Sequence, residues 1–356
     1  MHTLDGLLRT VMENGASDLH VSPGLPPILR IDGKLTPFGD TPLTPEDVEQ
    51  LLFSMLSTEQ RRALEQEWEI DFSYGIHGVG RFRVNIYRER GNYAAALRTV
   101  VSEVPSIEAM GLPPIVEKTA ESPRGLILVT GPTGSGKSTT LAAMINHINE
   151  TRAEHILTVE DPIEFIHKSK KSVIHQRELA QDTRSFARAL KSALREDPDI
   201  ILVGEMRDLD TISLALTAAE TGHLVMGTLH TSSAASTVDR IIDVFPEGQQ
   251  QQVRMQLSNS LVAVFSQTLL PRLQPDGTKK GRIMAQEIMI VNNAIANLIR
   301  EGKAAQIYSV LQTGSAFGMQ TLETALKNLY KQKLVTLEDA LTKTSRPDEL
   351  KRMISM

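Results

Sequence analysis

The stretch Gly131-Pro132-Thr133-Gly134-Ser135-Gly136-Lys137-Ser138 constrains this chain more than any other. Its G-x-x-x-x-G-K-S spacing describes a turn whose backbone N–H groups wrap an anion, and that turn works only between a strand and a helix. Both flanks comply. The apolar run Leu126-Ile127-Leu128-Val129 precedes it, and the pattern beyond it predicts a helix from about 138 to 149. Glycines let the backbone approach the phosphates of a nucleotide. Lys137 is expected to reach the β and γ phosphates, and Ser138 to ligate Mg²⁺. ATP and Mg²⁺ are the expected ligands, and Gly131, Thr133, Gly134, Ser135, Gly136, Lys137 and Ser138 the expected contacts.

Apolar runs then alternate with helical segments. Ile156-Leu157-Thr158-Val159, Ile200-Ile201-Leu202-Val203 and Leu224-Val225-Met226-Gly227-Thr228-Leu229 read as buried strands, separated by helices around 186–194 and 209–221. Continuous apolar strands between helices predict an α/β fold with a parallel sheet covered on both faces. From 249 onward the pattern predicts mainly helix, with one strand at 283–291. The first hundred residues read as a separate α+β domain. Ile28-Leu29-Arg30-Ile31, Asp32-Gly33 and Lys34-Leu35 suit a hairpin. Thr44-Pro45-Glu46 opens a helix. Arg81 to Tyr87 alternates as a half-buried strand, with Tyr93 to Val101 as its partner. Pro105, Gly111, Pro113, Pro114 and Pro123 interrupt the next stretch of chain. The expected division is a domain at 1–104, a linker at 105–123 and an ATPase domain at 124–356; 356 residues are too many for one compact core.

Carboxylates and histidines gather at strand ends. Asp197-Pro198-Asp199 leads into the strand that closes with Gly204-Glu205. An apolar strand ending in a carboxylate is what a Walker B element needs, but its usual aspartate position is Gly204. Glu205 is therefore expected to orient or activate the attacking water. Glu160-Asp161-Pro162-Ile163-Glu164 ends another strand: Glu160 and Asp161 are the candidates to hold Mg²⁺ through water, and Glu164 is a candidate catalytic helper. His223 and His230 bracket a third strand, and His230 lies at the phosphate-facing end, where an imidazole can report on the γ-phosphate. Arg81, Arg83 and Arg98 sit on paired N-terminal strands, from which a guanidinium could serve a neighbouring subunit's nucleotide.

Composition trims the alternatives. The net charge of −5 and 4% aromatic content give no support for a nucleic-acid translocase, which needs basic surfaces and stacking platforms. There is no cysteine, which excludes disulfides and cysteine-ligated zinc. No apolar run is long enough to span a bilayer, and the first residues do not read as a signal peptide.

Taken together, these boxes resemble the secretion and pilus ATPase superfamily, and within it the PilT-type twitching-motility ATPases. The family's Walker A matches 131–139, which adds Thr139 to the nucleotide contacts. Its acidic box matches 156–165, its atypical Walker B 199–207 and its histidine box 222–246, including Thr228-Leu229-His230-Thr231. Ser17-Asp18-Leu19-His20 and Arg30-Ile31-Asp32-Gly33 match near the start. Ala294-Ile295-Ala296-Asn297-Leu298-Ile299-Arg300-Glu301 matches the retraction branch except that Ala296 replaces an arginine. The resemblance implies a RecA-like P-loop domain with a smaller, PAS-like N-terminal α+β domain. It implies a homohexamer in which Arg83 and Arg98 act on a neighbour's nucleotide. It further implies a cytoplasmic motor at the inner-membrane base of a pilus machine, peripheral to the membrane, working on a platform protein to retract a type IV pilus. Pilus-assembly or type II secretion ATPases, which carry a four-cysteine zinc module, are the alternative within the family; a RecA-like nucleic-acid translocase is the alternative outside it.

Overall fold

The computed structural model describes residues 3–31, 33–100 and 103–355. Two compact units emerge, one formed by residues up to Glu103 with 162–166 and 180–182, the other by 104–161, 167–179 and 183 onward.

In the first unit, α1 (Leu4–Glu13) leads into β1 (Asp18–Val21), β2 (Ile28–Ile31) and β3 (Lys34–Pro37). Next come α2 (Pro45–Phe53), α3 (Thr58–Glu67), β4 (Glu69–Ile76), β5 (Gly80–Glu89) and β6 (Asn92–Val100). The sheet runs β3-β2-β1-β6-β5-β4 and is antiparallel throughout. Ile31 pairs with Lys34, so the expected hairpin forms, although Asp32 in its turn lies outside the described residues, as do Val101 and Ser102. Thr44 accepts from the Asp47 amide and Asp47 reaches back, a reciprocal cap that starts α2 at the expected position. On β5, Phe82, Val84 and Ile86 are fully buried while Arg83 between them is exposed. Period-two alternation thus delivers the apolar face to the helices and arginines to the other face.

The second unit begins with α4 (Pro114–Ala120), β7 (Gly125–Thr130), α5 (Lys137–Thr151), β8 (His155–Glu160) and β9 (Val173–Glu178). It continues with α6 (Phe186–Ala193), β10 (Ile200–Val203), α7 (Leu209–Glu220), β11 (Leu224–Leu229), α8 (Ala234–Asp243) and α9 (Glu247–Ser260). After these lie β12 (Leu261–Leu273), β13 (Lys279–Ile290), α10 (Asn293–Arg300) and α11 (Ile307–Thr313), and then α12 (Leu322–Lys331), α13 (Leu337–Leu341) and α14 (Pro347–Ser355). The sheet order is β13-β12-β7-β11-β10-β8-β9, parallel except at β13. Every residue of β7, β10 and β11 is buried. One apolar cluster packs α6 to α10 on one face, and another packs α4 and α5 on the other.

Two expectations are corrected here. The proline-rich span is no linker: Ile107, Leu112, Val116 and Ala120 are buried against β7 and α5, because Pro114 starts a helix with an apolar face rather than ending structure. The chain after 249 is not mainly helical up to 283 either. β12 runs for 13 residues there and carries the fully buried Phe265. Its Leu-Val-Ala-Val-Phe start is buried on both faces, so it lacks the alternation that marks a half-buried strand.

Candidate active site

Parallel strands end together. The C-terminal ends of β7, β11, β10 and β8 bring the glycine-rich loop, His230, Gly204-Glu205 and Glu160-Asp161 to one edge of the sheet.

All eight expected nucleotide contacts, Gly131 and Thr133 through Thr139, lie in the loop and the first turn of α5. Gly131 has φ +141°, and a β-carbon there would come within 2.2 Å of the Gln267 carbonyl and 2.6 Å of Ser135 Oγ. Only glycine fits this crossing of loop and β12. Lys137 Nζ donates to the carbonyls of Gly131 at 2.9 Å and Pro132 at 3.2 Å, so its ammonium already hangs over the loop. Ser135 Oγ is buried with no hydrogen-bond partner. A buried hydroxyl without a partner in a loop of this pattern fits an anionic ligand, since leaving it bare costs about 1–3 kcal/mol.

Gln267, which no sequence motif singled out, clasps this loop from β12. Its Nε2 donates to the Ser135 carbonyl at 2.9 Å, and its Oε1 accepts from Thr140 Oγ1 on α5 and from Gln286 Nε2 on β13, both at 3.1 Å. With β12 unread as a strand, nothing in the sequence pointed to it.

Gly204 explains the absent Walker B aspartate. A β-carbon here would press on Glu160 Cα and the Val159 carbonyl, each at 3.1 Å, because the Gly204 amide bonds to that same carbonyl at 2.7 Å. The next residue lies between two basic side chains. Glu205 Oε1 lies 3.1 Å from His230 Nε2 and is paired with Arg207 Nε, while Oε2 accepts from Arg207 Nη2 at 2.6 Å. Burial opposes the charge on Glu205, but Arg207 and His230 outweigh it and hold the carboxyl below the usual carboxylate range. Arg207 also feels Asp161. In the sequence it closes the stretch 199–207 that resembles the family's atypical Walker B, two residues after Glu205.

Glu160 Oε1 accepts from Thr158 Oγ1 at 2.7 Å and Gln176 Nε2 at 3.1 Å. Ser138 is half-buried and Asp161 exposed. Hydroxyl and carboxylates make an all-oxygen donor set of the kind Mg²⁺ selects. Glu164 is exposed and groups with the first unit, so the three acids do not form one cluster within either unit. Arg83 and Arg98 are cross-strand neighbours on β5 and β6, and Arg98 Nε donates to the buried Asp18 at 2.9 Å.

Comparison with known proteins supplies the family. The family model described as type II/IV secretion system protein matches residues 1–346. The chain is 52% identical over 342 residues to the type IV pilus retraction ATPase PilT of Pseudomonas aeruginosa, covering 96% of this chain and 98% of that protein. It is 55% identical over 324 residues to a twitching motility protein of Neisseria gonorrhoeae, covering 91% and 86%. A crystal structure of the pilus retraction motor PilT with bound ADP superposes with a TM-score of 0.91 at 51% identity, covering 99% of this chain and all of that one. Agreement over nearly whole chains, in sequence and in fold, places this ATPase in the type II/IV secretion system protein family as a PilT-type member.

Proposed function

We propose that this protein is a homohexameric ATPase motor that retracts a type IV pilus and so drives twitching motility. The observation that carries the hydrolytic part is Glu205, held ionised between Arg207 and His230 at the end of β10, two strands from the phosphate loop. ATP would meet the loop through its backbone N–H groups and Ser135, and Lys137 would exchange the carbonyls of Gly131 and Pro132 for phosphate oxygens. Glu205 then orients the attacking water, and its carboxylate can take the water's proton. His230, bonded to Glu205 and next to the β7 strand, is placed to exchange that bond for one to the γ-phosphate, so loss of phosphate changes what holds Glu205. Mg²⁺, held by Ser138 and through water by Glu160 or Asp161, would neutralise phosphate charge. Glu164 remains a candidate helper, and Arg83 and Arg98 the candidates to act on a neighbouring copy's nucleotide.

The expected partner is an inner-membrane platform protein at the base of the pilus, reached from the cytoplasmic side. Among the described residues no helix is long and apolar enough to cross a membrane, which is compatible with peripheral association. Deleting the gene tests the biological reading: surplus pili with lost twitching are expected, whereas loss of pili would point to assembly instead.

A further inference from the structure

Glu287, on β13, is 5% exposed. Its neighbours in register form a buried row across the sheet: Glu287 beside Ser266 on β12, Ser266 beside Thr130 on β7, and Thr130 beside Leu229 on β11. Residues side by side in a row face the same way, and Ser266 Oγ is bonded to Thr130 Oγ1 at 2.7 Å. The row ends one residue before Gly131 on β7 and one residue before His230 on β11. Glu287 Oε1 accepts from the Ala234 amide at 2.7 Å. Ala234 is the first residue of α8, and the cap between Ser233 and Ser236 leaves that amide without a partner inside the helix.

We propose that Glu287 is a positioning residue for hydrolysis: its carboxylate anchors the N-terminus of α8, and with it the His230–Ser233 turn, to the same sheet row that carries the phosphate loop. This rests on the proposed role of His230. An anion at a helix N-terminus is held by the aligned backbone dipoles as well as by the hydrogen bond. The anchor is also titratable. Burial pushes the Glu287 carboxyl up to about 7, the Ala234 amide opposes that, Glu323 on α12 adds to it, and Arg346 before α14 counters it. Glu323 is buried in turn and accepts from Tyr308 of α11 at 2.9 Å, and Tyr308 also reaches Glu349 of α14 at 2.9 Å. Burial therefore dominates the charge of the group that holds α8, and the C-terminal helices modulate it. Below about 7 Glu287 is neutral and grips α8 through one hydrogen bond; above it the charge is added.

Two measurements on the full-length protein decide this. First, kcat for ATP is measured from about pH 5.5 to 8.5 in the wild type and in Glu287→Gln, which keeps the acceptor and removes the charge. Wild-type kcat is expected to rise about threefold through neutrality, and the variant to stay flat at the acid-side value with KM within about twofold. A variant that keeps the wild-type rise would overturn the proposal. Second, amide exchange is read over the first turn of α8 in Glu287→Gln and Glu287→Ala. Faster exchange in Glu287→Ala, with the Gln variant between it and wild type, is expected; unchanged exchange would overturn the anchor. His230→Ala separates the two ideas. If it turns over like wild type, the reading of His230 fails, while the exchange result still decides where Glu287 acts.

Discussion

The two ends of the seven-stranded sheet are built from the same strands and differ in what their polar groups are bonded to. At the N-terminal end, the donors and acceptors close on one another. The His155 amide donates to Asp199 Oδ2 at 2.8 Å, its Nδ1 meets the Asp197 carbonyl and its Nε2 meets His175 Nδ1, both at 2.9 Å. His223, at the start of β11, has its Nδ1 on the Ala218 carbonyl at 3.0 Å. At the C-terminal end the partners are provisional. Lys137 rests on carbonyls of its own loop, Ser135 Oγ has no partner, and Glu205 is shared between Arg207 and His230. One end closes on itself; the other holds a buried hydroxyl without a partner. His223 and His230 bracket one strand, and position alone gives them different surroundings.

Variants at the two ends can break this contrast. The largest effect is expected at Lys137→Ala, on the order of 10³-fold in kcat/KM measured by phosphate release, because a preorganised cation leaves the site. Next is His230→Ala, about tenfold or more in kcat, since it removes a hydrogen bond to a charged group. His223→Ala, its counterpart at the far end, should leave turnover per folded molecule within about twofold. Equal losses from the two histidines would erase the distinction. The smallest effect is expected at His155→Ala: about 1 kcal/mol of stability by denaturant titration, from lost ring hydrogen bonds, with unchanged turnover. A turnover defect there would show that the far end is coupled to the chemistry.

Local rules explain which parts were legible. The phosphate loop, Glu205 and His230 could be read because each comes directly after a continuous apolar run, and such runs are buried strands whose C-terminal ends meet the ligand. Gly204 looked like a departure from the Walker B pattern; only the strand beside it shows that a β-carbon would press on the Val159 carbonyl and Glu160 Cα. Gln267 and Glu287 were missed for one reason. Both act through pairing across β12 and β13, and pairing partners far apart in sequence leave no local mark. The linker was misread because prolines that start α4 look the same in sequence as prolines that break a chain. The arginines show the same limit from the other side. Alternation put Arg83 on the exposed face, but it could not show Asp18 holding Arg98.

The most direct test is of Glu205. In Glu205→Gln, ATP binding measured with the purified protein should remain within a few-fold of wild type, while steady-state hydrolysis falls on the order of 10²-fold or more. Hydrolysis at close to the wild-type rate would contradict the assignment of the attacking water to Glu205, and with it the reading of the sheet's C-terminal end as a catalytic centre.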